Sequence, residues 1–383
     1  MDPVIGQIER FRSFSQDISG TDPLICLQGG GLKGAWQAAV VEVLLRSNLH
    51  PSAAYGTSAG ALNSVLISVA LGGDSQAPTS FWRTLSKLGL RYGKSRLGGV
   101  LWRLPAAFRE MRKNPTPRAR SLLPYGEFRD LIADALPDTF QARLNTYIEI
   151  TRLDTSLPPT VLPYRGPSLW LHPGGDEFEA TFVDPPVDPP IKVPIADALA
   201  CSCAVPGLID PGVLAGIPVS DGGVLANLPI DRLPEHGALS GNSIILVLCR
   251  PLSALDPASS DIDYRTIRSL RRVQAIQRCE LRRYDRNPNG CFNSLTFPPV
   301  FLIAPKQTPR LENPLLAAIP KIWDADISSG KATGERFVCA LDRFFRKTDR
   351  ALDEFLLLRA NLPRLPRKRP SRPIWYSFAN AQW

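Results

Sequence analysis

Two units in the N-terminal half each consist of a short apolar run, a turn that contains glycine, and a helix. Leu24–Leu27 has the pattern of a buried strand and is followed by GGGLKG and by a helix at about 35–45. A second short strand ends at Tyr55, after which a turn opens into the apolar helical sequence AGALNSVLISVAL. This alternation is typical of β-α units, so we predict an α/β fold with a mostly parallel central sheet.

The remaining elements follow from the same kinds of pattern. Proline accounts for 37 of the 383 residues and clusters at 157–190, which predicts a loop or covering flap there, not an independent domain. Further strands are expected at 147–152, 178–182, 219–221, 243–248 and 300–303, and further helices at 126–135, 194–204, 262–283 and 334–358.

Composition places the chain among globular proteins. Hydrophobic residues make up 44% and charged residues 21% of the chain, which argues against disordered, collagenous and coiled-coil classes. No apolar window of about 18 residues is free of charge and proline, so a transmembrane helix is not expected. The first residues, MDPVIGQIERFRSF, lack the unbroken apolar stretch of a secretory signal. We therefore expect a cytoplasmic protein.

The cysteines and histidines limit the chemistry. The seven cysteines are scattered through apolar or helical surroundings, and none belongs to a His/Cys cluster with zinc-ligand spacing. They are predicted to be small core residues, and neither a metal nor a cofactor is expected. Any mechanism that needs an imidazole is restricted to three candidates, His50, His172 and His236.

The glycine-rich turn after the first strand is the first candidate site. It consists of Gly29, Gly30, Gly31, Leu32, Lys33 and Gly34. It fits the G-x-G-x-x-G of a dinucleotide fold, but no acidic residue between Glu42 and Asp74 could hold a ribose, and Ala35 stands where a P-loop requires Lys. What remains is a group of backbone N–H donors at a helix N-terminus, which can bind a phosphate or a catalytic oxyanion. A tight turn without a ligand is the alternative.

The second candidate site is Gly56-Thr57-Ser58-Ala59-Gly60, a G-x-S-x-G between a strand and an apolar helix. In a nucleophile elbow, the flanking glycines make room for a strained turn that presents the serine hydroxyl at the helix N-terminus. The alternative is that Ser58 is an ordinary helix N-cap.

A serine nucleophile needs a base at neutral pH. His236 is the only histidine that fits the chain order of α/β-hydrolases, but it lies, like His50 and His172, in a sequence typical of loops. The other candidate is a carboxylate, and Asp221-Gly222-Gly223 ends the apolar strand 216–220. An ordinary Asp-Gly turn is the alternative at this position.

Together these motifs resemble the patatin-like phospholipases, whose pattern is a GGGxKG-type loop, a GxSxG elbow and a DG[GA] element. Two further segments are similar to that family. Cys201-Ser202-Cys203-Ala204-Val205-Pro206 resembles its [AC]S-x-A-x-P segment, and Asn227-Leu228-Pro229 resembles its N-x-P. The resemblance covers about 22–250 and implies a three-layer α/β/α fold with a helical cap and C-terminal helices.

The resemblance also implies roles for the site residues. Ser58 is expected to be the nucleophile and Asp221 the base that orients it, in a dyad. Backbone amides of Gly29 to Gly34 are expected to form the oxyanion hole. Lys33 is expected to orient this loop or to meet a lipid phosphate, with a solvated lysine as the alternative. The turns of the elbow and of the dyad motif are expected to depend on Gly56, Gly60, Gly222 and Gly223.

The implied activity is hydrolysis of fatty-acyl esters through an acyl-enzyme, as in a phospholipase A or a lysophospholipase. A carboxylesterase or triacylglycerol lipase with the same dyad is the first alternative. A non-catalytic lipid- or nucleotide-binding module is the second. Members of the family can be secreted effectors or need an activating protein partner, and both options stay open for this chain.

The net charge of +9 is concentrated in 83–120, 265–286 and the C-terminal tail. Within 83–120, apolar residues at helical spacing are rimmed by Arg and Lys, as suits the surface of an anionic membrane. A solvated amphipathic cap is the alternative. Nucleic acid is not expected as a partner, because no binding motif is recognisable. We therefore expect a peripheral protein that meets its substrate at a phospholipid or membrane surface.

The motifs must come together in one catalytic domain, within which 83–120 and 157–190 are expected to cover an acyl pocket. The predicted order is a helical lead-in at 1–21, the catalytic domain at 22–306, C-terminal helices packed on it at 307–360, and a basic tail at 361–383.

Overall fold

The structure is a computed structural model, and it describes part of the chain in detail. The described residues are 22–95, 123–137, 140–153, 168–181, 190–224, 226–229, 244–251, 300–312, 320–339 and 376–377. The predictions made for 1–21, 262–283 and 361–375 therefore lie outside the described residues, as do those for 96–122.

The strands and helices are numbered in chain order. The strands are β1 Leu24–Leu27, β2 Ala53–Thr57, β3 Asn145–Arg152, β4 Ser168–Leu171, β5 Glu177–Thr181, β6 Ile191–Pro194, β7 Gly212–Leu214, β8 Ile217–Asp221, β9 Ile244–Val247, β10 Val300–Ile303 and β11 Tyr376–Ser377. The helices are α1 Gly34–Arg46, α2 Ala59–Leu71, α3 Ala77–Ser95, α4 Tyr125–Ala135, α5 Ile195–Ser202 and α6 at 320–339.

One sheet joins these strands in the order β11-β10-β9-β1-β2-β3-β4-β5-β6, with β8 paired to β3 and β7 paired to β8. The strands from β11 to β3 run parallel. The strands β4, β5 and β6 continue the sheet in antiparallel pairing. All four residues of β1 are buried, as expected for a central parallel strand. The prediction of an α/β fold around a mostly parallel central sheet is confirmed.

Side chains of β1 alternate between the two faces of the sheet. Ile25 and Leu27 pack with Val40 of α1 on one face. Cys26 packs on the other face with Tyr55 and Tyr147, whose rings stack at 4.6 Å. The described helices belong to the clusters on the first face, so α1 and α2 approach the carboxyl ends of the parallel strands from the same side.

The prediction of a loop or flap at 157–190 is wrong for 168–181. This stretch forms the antiparallel pair β4–β5, and Leu169, Leu171 and Phe178 are fully buried in the core. The described prolines near these strands lie in the connection at Pro173 and beyond β5, at Pro190, so the average composition concealed two apolar strands. The strand expected at 178–182 is confirmed as β5.

Several other elements agree with prediction and some were not predicted. The strands expected at 147–152, 219–221, 243–248 and 300–303 are confirmed within one or two residues, as are the helices at 126–135 and 194–204. The helix expected from 334 begins at 320. The unpredicted elements are α3, β4, β6 and β7.

A buried carboxylate connects three helices behind the site. Glu42 of α1 is fully buried and accepts a hydrogen bond from Thr79 of α3. It also forms ion pairs with Arg46 at 2.8 Å and with Lys331 of α6 at 3.0 Å. Because a buried charge is strongly unfavourable without partners, Glu42 holds α6 against α1.

Candidate active site

Ser58 occupies a strained turn between β2 and α2. Its φ of 54° and ψ of −123° lie outside the common regions for a residue with a side chain, which costs on the order of 1–3 kcal/mol. This geometry is that of a nucleophile elbow. Ser58 stands at the N-cap position of α2, but its side chain makes no capping hydrogen bond. The alternative of an ordinary side-chain N-cap is therefore wrong.

The two glycines of the elbow are required by space. A Cβ on Gly56 would lie 2.2 Å from the carbonyl oxygen of Gly60, and a Cβ on Gly60 would lie 2.2 Å from the carbonyl oxygen of Leu27. Real Cβ atoms essentially never approach this closely. The G-x-S-x-G spacing therefore lets α2 pack directly against the ends of β1 and β2.

The backbone of Ser58 is held by a side chain from a distant part of the sequence. The Ser58 N–H donates to Ser202 Oγ at 3.0 Å. Ser202 Oγ in turn donates to the carbonyl oxygen of Glu149 in β3 at 2.7 Å. All three residues are buried, so these bonds are shielded from water and help to hold the elbow in its strained conformation.

Asp221 is the last residue of β8, opposite Ile150 of β3. Its backbone N–H donates to the carbonyl oxygen of Ala204 at 2.9 Å. Its carboxylate Oδ1 accepts a hydrogen bond from the Gly223 N–H at 2.6 Å, and the residue is only 5% exposed. The dyad turn is close-packed, because a Cβ on Gly222 would lie 2.2 Å from the carbonyl oxygen of Glu149.

Cys203 lies between these two parts of the site. Its buried thiol is hydrogen-bonded to the Ser58 side chain and lies within electrostatic range of Asp221. Burial, reinforced by the Asp221 charge, raises the pKa of the Cys203 thiol well above its ordinary value. The thiol is therefore neutral beside the Ser58 hydroxyl at physiological pH.

The glycine-rich loop approaches Ser58 from the end of β1. A Cβ on Gly29 would lie 2.5 Å from Asn227 Oδ1 and 3.2 Å from Ser58 Cβ. The Gly29 N–H donates to the carbonyl oxygen of Asn227 at 2.8 Å. Asn227 Oδ1 would also lie 3.0 Å from a Cβ on Gly223. Asn227 therefore joins the loop to the turn that carries Asp221.

The amides of this loop differ in what they can bind. The N–H groups of Gly29, Lys33 and Gly34 donate to carbonyl oxygens of the protein. Those of Gly30, Gly31 and Leu32 have no acceptor in the described part of the chain, and these residues are partly or fully exposed. Three of the six predicted donors thus remain accessible, next to the N-terminus of α1.

Buried amide side chains support the loop from beneath. Gln37 donates to the carbonyl oxygens of Val247 at 2.9 Å and of Gln28 at 3.2 Å. Asn63 donates to Gln37 Oε1 at 2.9 Å and accepts from the Trp82 indole at 2.7 Å. This network links α1, α2 and α3 to the residue that begins the loop.

Comparison with known families decides how these observations fit together. Residues 25–234 match the profile of the family described as patatin-like phospholipase. This match covers more than half of the 383 residues. The chain belongs to the patatin-like phospholipase family.

All the motifs described above lie inside the patatin-like region, which ends after Asn227 and before β9. Membership places the chain among lipid acyl hydrolases, so the resemblance inferred from the motifs is confirmed. Among solved structures, the chain is similar to VipD from Legionella pneumophila, with 14% identity, a TM-score of 0.36, and coverage of 84% of this chain and 67% of that chain. No curated protein matches the sequence.

The described residues show neither of two features that other lipid-active enzymes use. None of their helices is both long and apolar enough to cross a membrane. None of their His, Cys, Asp and Glu residues form a group of three or more that could hold a metal ion.

The described histidines lie at the wrong end of the sheet for the patatin-like site. His50 precedes β2, whereas Ser58 follows it. His172 follows β4, whose Leu171 pairs with Thr146 near the start of β3, and it contacts Glu179 at 3.1 Å. Asp221 pairs near the other end of β3. His236 lies outside the described residues.

Sequence reasoning described Lys33 incompletely and missed several contacts. Lys33 is 6% exposed, so the alternative of a solvated lysine is wrong. The supporting roles of Ser202 and Gln37 were not predicted. For Ser202 the available signal was its place in the [AC]S-x-A-x-P segment. Gln37 gave no signal, because a polar residue in an amphipathic helix is normally assigned to the exposed face.

Proposed function

We propose that the protein is a phospholipase A or lysophospholipase that uses a Ser58–Asp221 dyad. The observation that carries this proposal is the strained elbow at Ser58, whose side chain shares the neighbour Cys203 with the buried Asp221. A serine hydroxyl close to a buried carboxylate, with accessible amides beside it, is the arrangement that acyl transfer from an ester requires.

The first half of the reaction acylates the enzyme. Ser58 Oγ attacks the ester carbonyl carbon while its proton passes to the Asp221 carboxylate. The carbonyl oxygen becomes an oxyanion, for which the amides of Gly30, Gly31 and Leu32 are the proposed donors. Collapse of this intermediate breaks the ester C–O bond, and the departing alcohol takes the proton from Asp221. The fatty acyl group remains on Ser58.

The second half releases the fatty acid. Water attacks the acyl carbon and gives a proton to Asp221, the oxyanion forms again at the same amides, and the Ser58 C–O bond breaks as the proton returns to Ser58 Oγ. Such amides typically contribute about 10²–10³ in rate, so the loop matters as much as the dyad.

We also propose that a phospholipid surface presents the substrate. The chain carries a net charge of +9, and the described part of the 83–120 segment lies on α3. Binding to anionic vesicles is expected to exceed binding to neutral vesicles and to weaken with added salt. Equal binding to neutral vesicles at high salt would contradict this second proposal and leave the dyad untouched.

The decisive experiment measures fatty-acid release from phospholipids labelled at either acyl position. Ser58→Ala is expected to abolish release and labelling by a fluorophosphonate probe. Ser64→Ala is the matched control, because Ser64 lies in the same helix and its hydroxyl bonds only the local carbonyl of Ala61. Full activity in Ser58→Ala would overturn the dyad, and cleavage of simple esters or triacylglycerol alone would favour a carboxylesterase or lipase.

A further inference from the structure

Three consecutive residues after α5 each contact one member of the proposed dyad. Ser202 Oγ accepts the Ser58 N–H at 3.0 Å, and the carbonyl oxygen of Ala204 accepts the Asp221 N–H at 2.9 Å. Between them, the Cys203 thiol is hydrogen-bonded to the Ser58 side chain. This segment therefore sets both the conformation of the nucleophile and its separation from the carboxylate.

The position of Cys203 is itself fixed. It caps the C-terminal end of α5, where its N–H donates to the carbonyl oxygen of Leu199 at 3.0 Å. It is 6% exposed and packs in the main core cluster. A side chain held this firmly restricts the rotamers that the Ser58 hydroxyl can adopt.

We propose that Cys203 is a positioning residue, whose S–H donates to Ser58 Oγ and thereby leaves the Ser58 O–H directed at Asp221. This inference rests on the proposed dyad and adds a third side chain to it. A neutral thiol is a weak donor and a weak acceptor, so it does not compete with the carboxylate for the Ser58 proton. Cys203 takes no part in bond making.

Two substitutions separate the hydrogen bond from the packing. Cys203→Ala removes the donor and is expected to lower kcat about tenfold or more with little change in KM, because misplacement of a reacting group by about 1 Å can cost 10²-fold in rate. Cys203→Ser restores a donor and is expected to recover most of kcat and of the rate of labelling by a fluorophosphonate probe.

Cys201→Ala is the matched control. Cys201 is also fully buried on α5, but its thiol contacts the Tyr125 hydroxyl at 3.2 Å and not Ser58. Both alanine variants are expected to lower the Tm to a similar extent, because each leaves a sulfur-sized void. Only Cys203→Ala is expected to slow labelling of Ser58.

The outcomes distinguish this inference from the dyad itself. Wild-type labelling and kcat in Cys203→Ala would overturn the positioning role while the dyad stands. Equal losses in Cys203→Ala and Cys203→Ser would also overturn it, because they would point to packing alone. Activity in Ser58→Ala would instead overturn the dyad and, with it, the reason for positioning Ser58.

Discussion

Gly60→Ala is the sharpest steric test of the site. The new Cβ would lie 2.2 Å from the carbonyl oxygen of Leu27 and 3.0 Å from that of Gln28. Ordinary van der Waals contact needs more than 3 Å, so the first distance is short by about 1 Å. Both obstacles are backbone atoms at the start of the glycine-rich loop, and they cannot rotate away. Either α2 or the loop must move by about this amount.

A shift of about 1 Å between Ser58 and its oxyanion donors is expected to lower kcat about 10²-fold. Overpacking of this kind typically costs about 1–3 kcal/mol in the free energy of unfolding, so the protein is expected to remain folded. Fatty-acid release and fluorophosphonate labelling measure the first effect, and denaturant unfolding measures the second.

Gly126→Ala provides the matched control. Gly126 lies within α4, where an added Cβ would meet nothing within 4 Å. The substitution is expected to leave activity unchanged and to stabilise the protein by about 0.5–1 kcal/mol, the usual difference in helix propensity. Wild-type kcat and stability in Gly60→Ala would refute the steric account of the elbow.

Three further predictions follow. Asp221→Asn keeps the shape of the side chain but removes the base, so kcat is expected to fall by about 10²–10⁴ while the far-UV spectrum and Tm are retained. Lys331→Met removes one of the two cations paired with buried Glu42 and is expected to cost about 1–3 kcal/mol in urea unfolding, with unchanged unfolding contradicting the ion pair. Burial raises the pKa of Cys201 and Cys249 from 9.0 to about 12. Since the unfolded thiols ionise first, Tm is expected to fall as the pH rises from about 9 towards 12, less steeply in Cys201→Ala.

The sequence predicted well those features that depend on neighbouring residues. The elbow and the glycine-rich loop are local strand–turn–helix units, and their glycines are needed where backbones come close. The contacts that position Ser58 depend on residues brought together by the fold. Ser202 is far from Ser58 along the chain, and nothing in either segment identifies the other as its partner. The strands β4 and β5 were hidden for a different reason, because prolines near them dominated the local composition.

The buried amides beneath the glycine-rich loop explain how an exposed turn can serve as an oxyanion site. Gly31 is fully exposed and has a φ of 56°, a conformation in which glycine alone is unstrained. A loop of this kind would ordinarily be mobile, and mobile donors must be reorganised during each turnover. Here its two ends are fixed. The Gln28 carbonyl accepts from Gln37, Gln28 Oε1 accepts the Cys249 N–H at 2.6 Å, and the loop's other end is the first turn of α1. The donors are therefore in place before charge develops on the substrate, and that pre-organisation is what makes such a site effective.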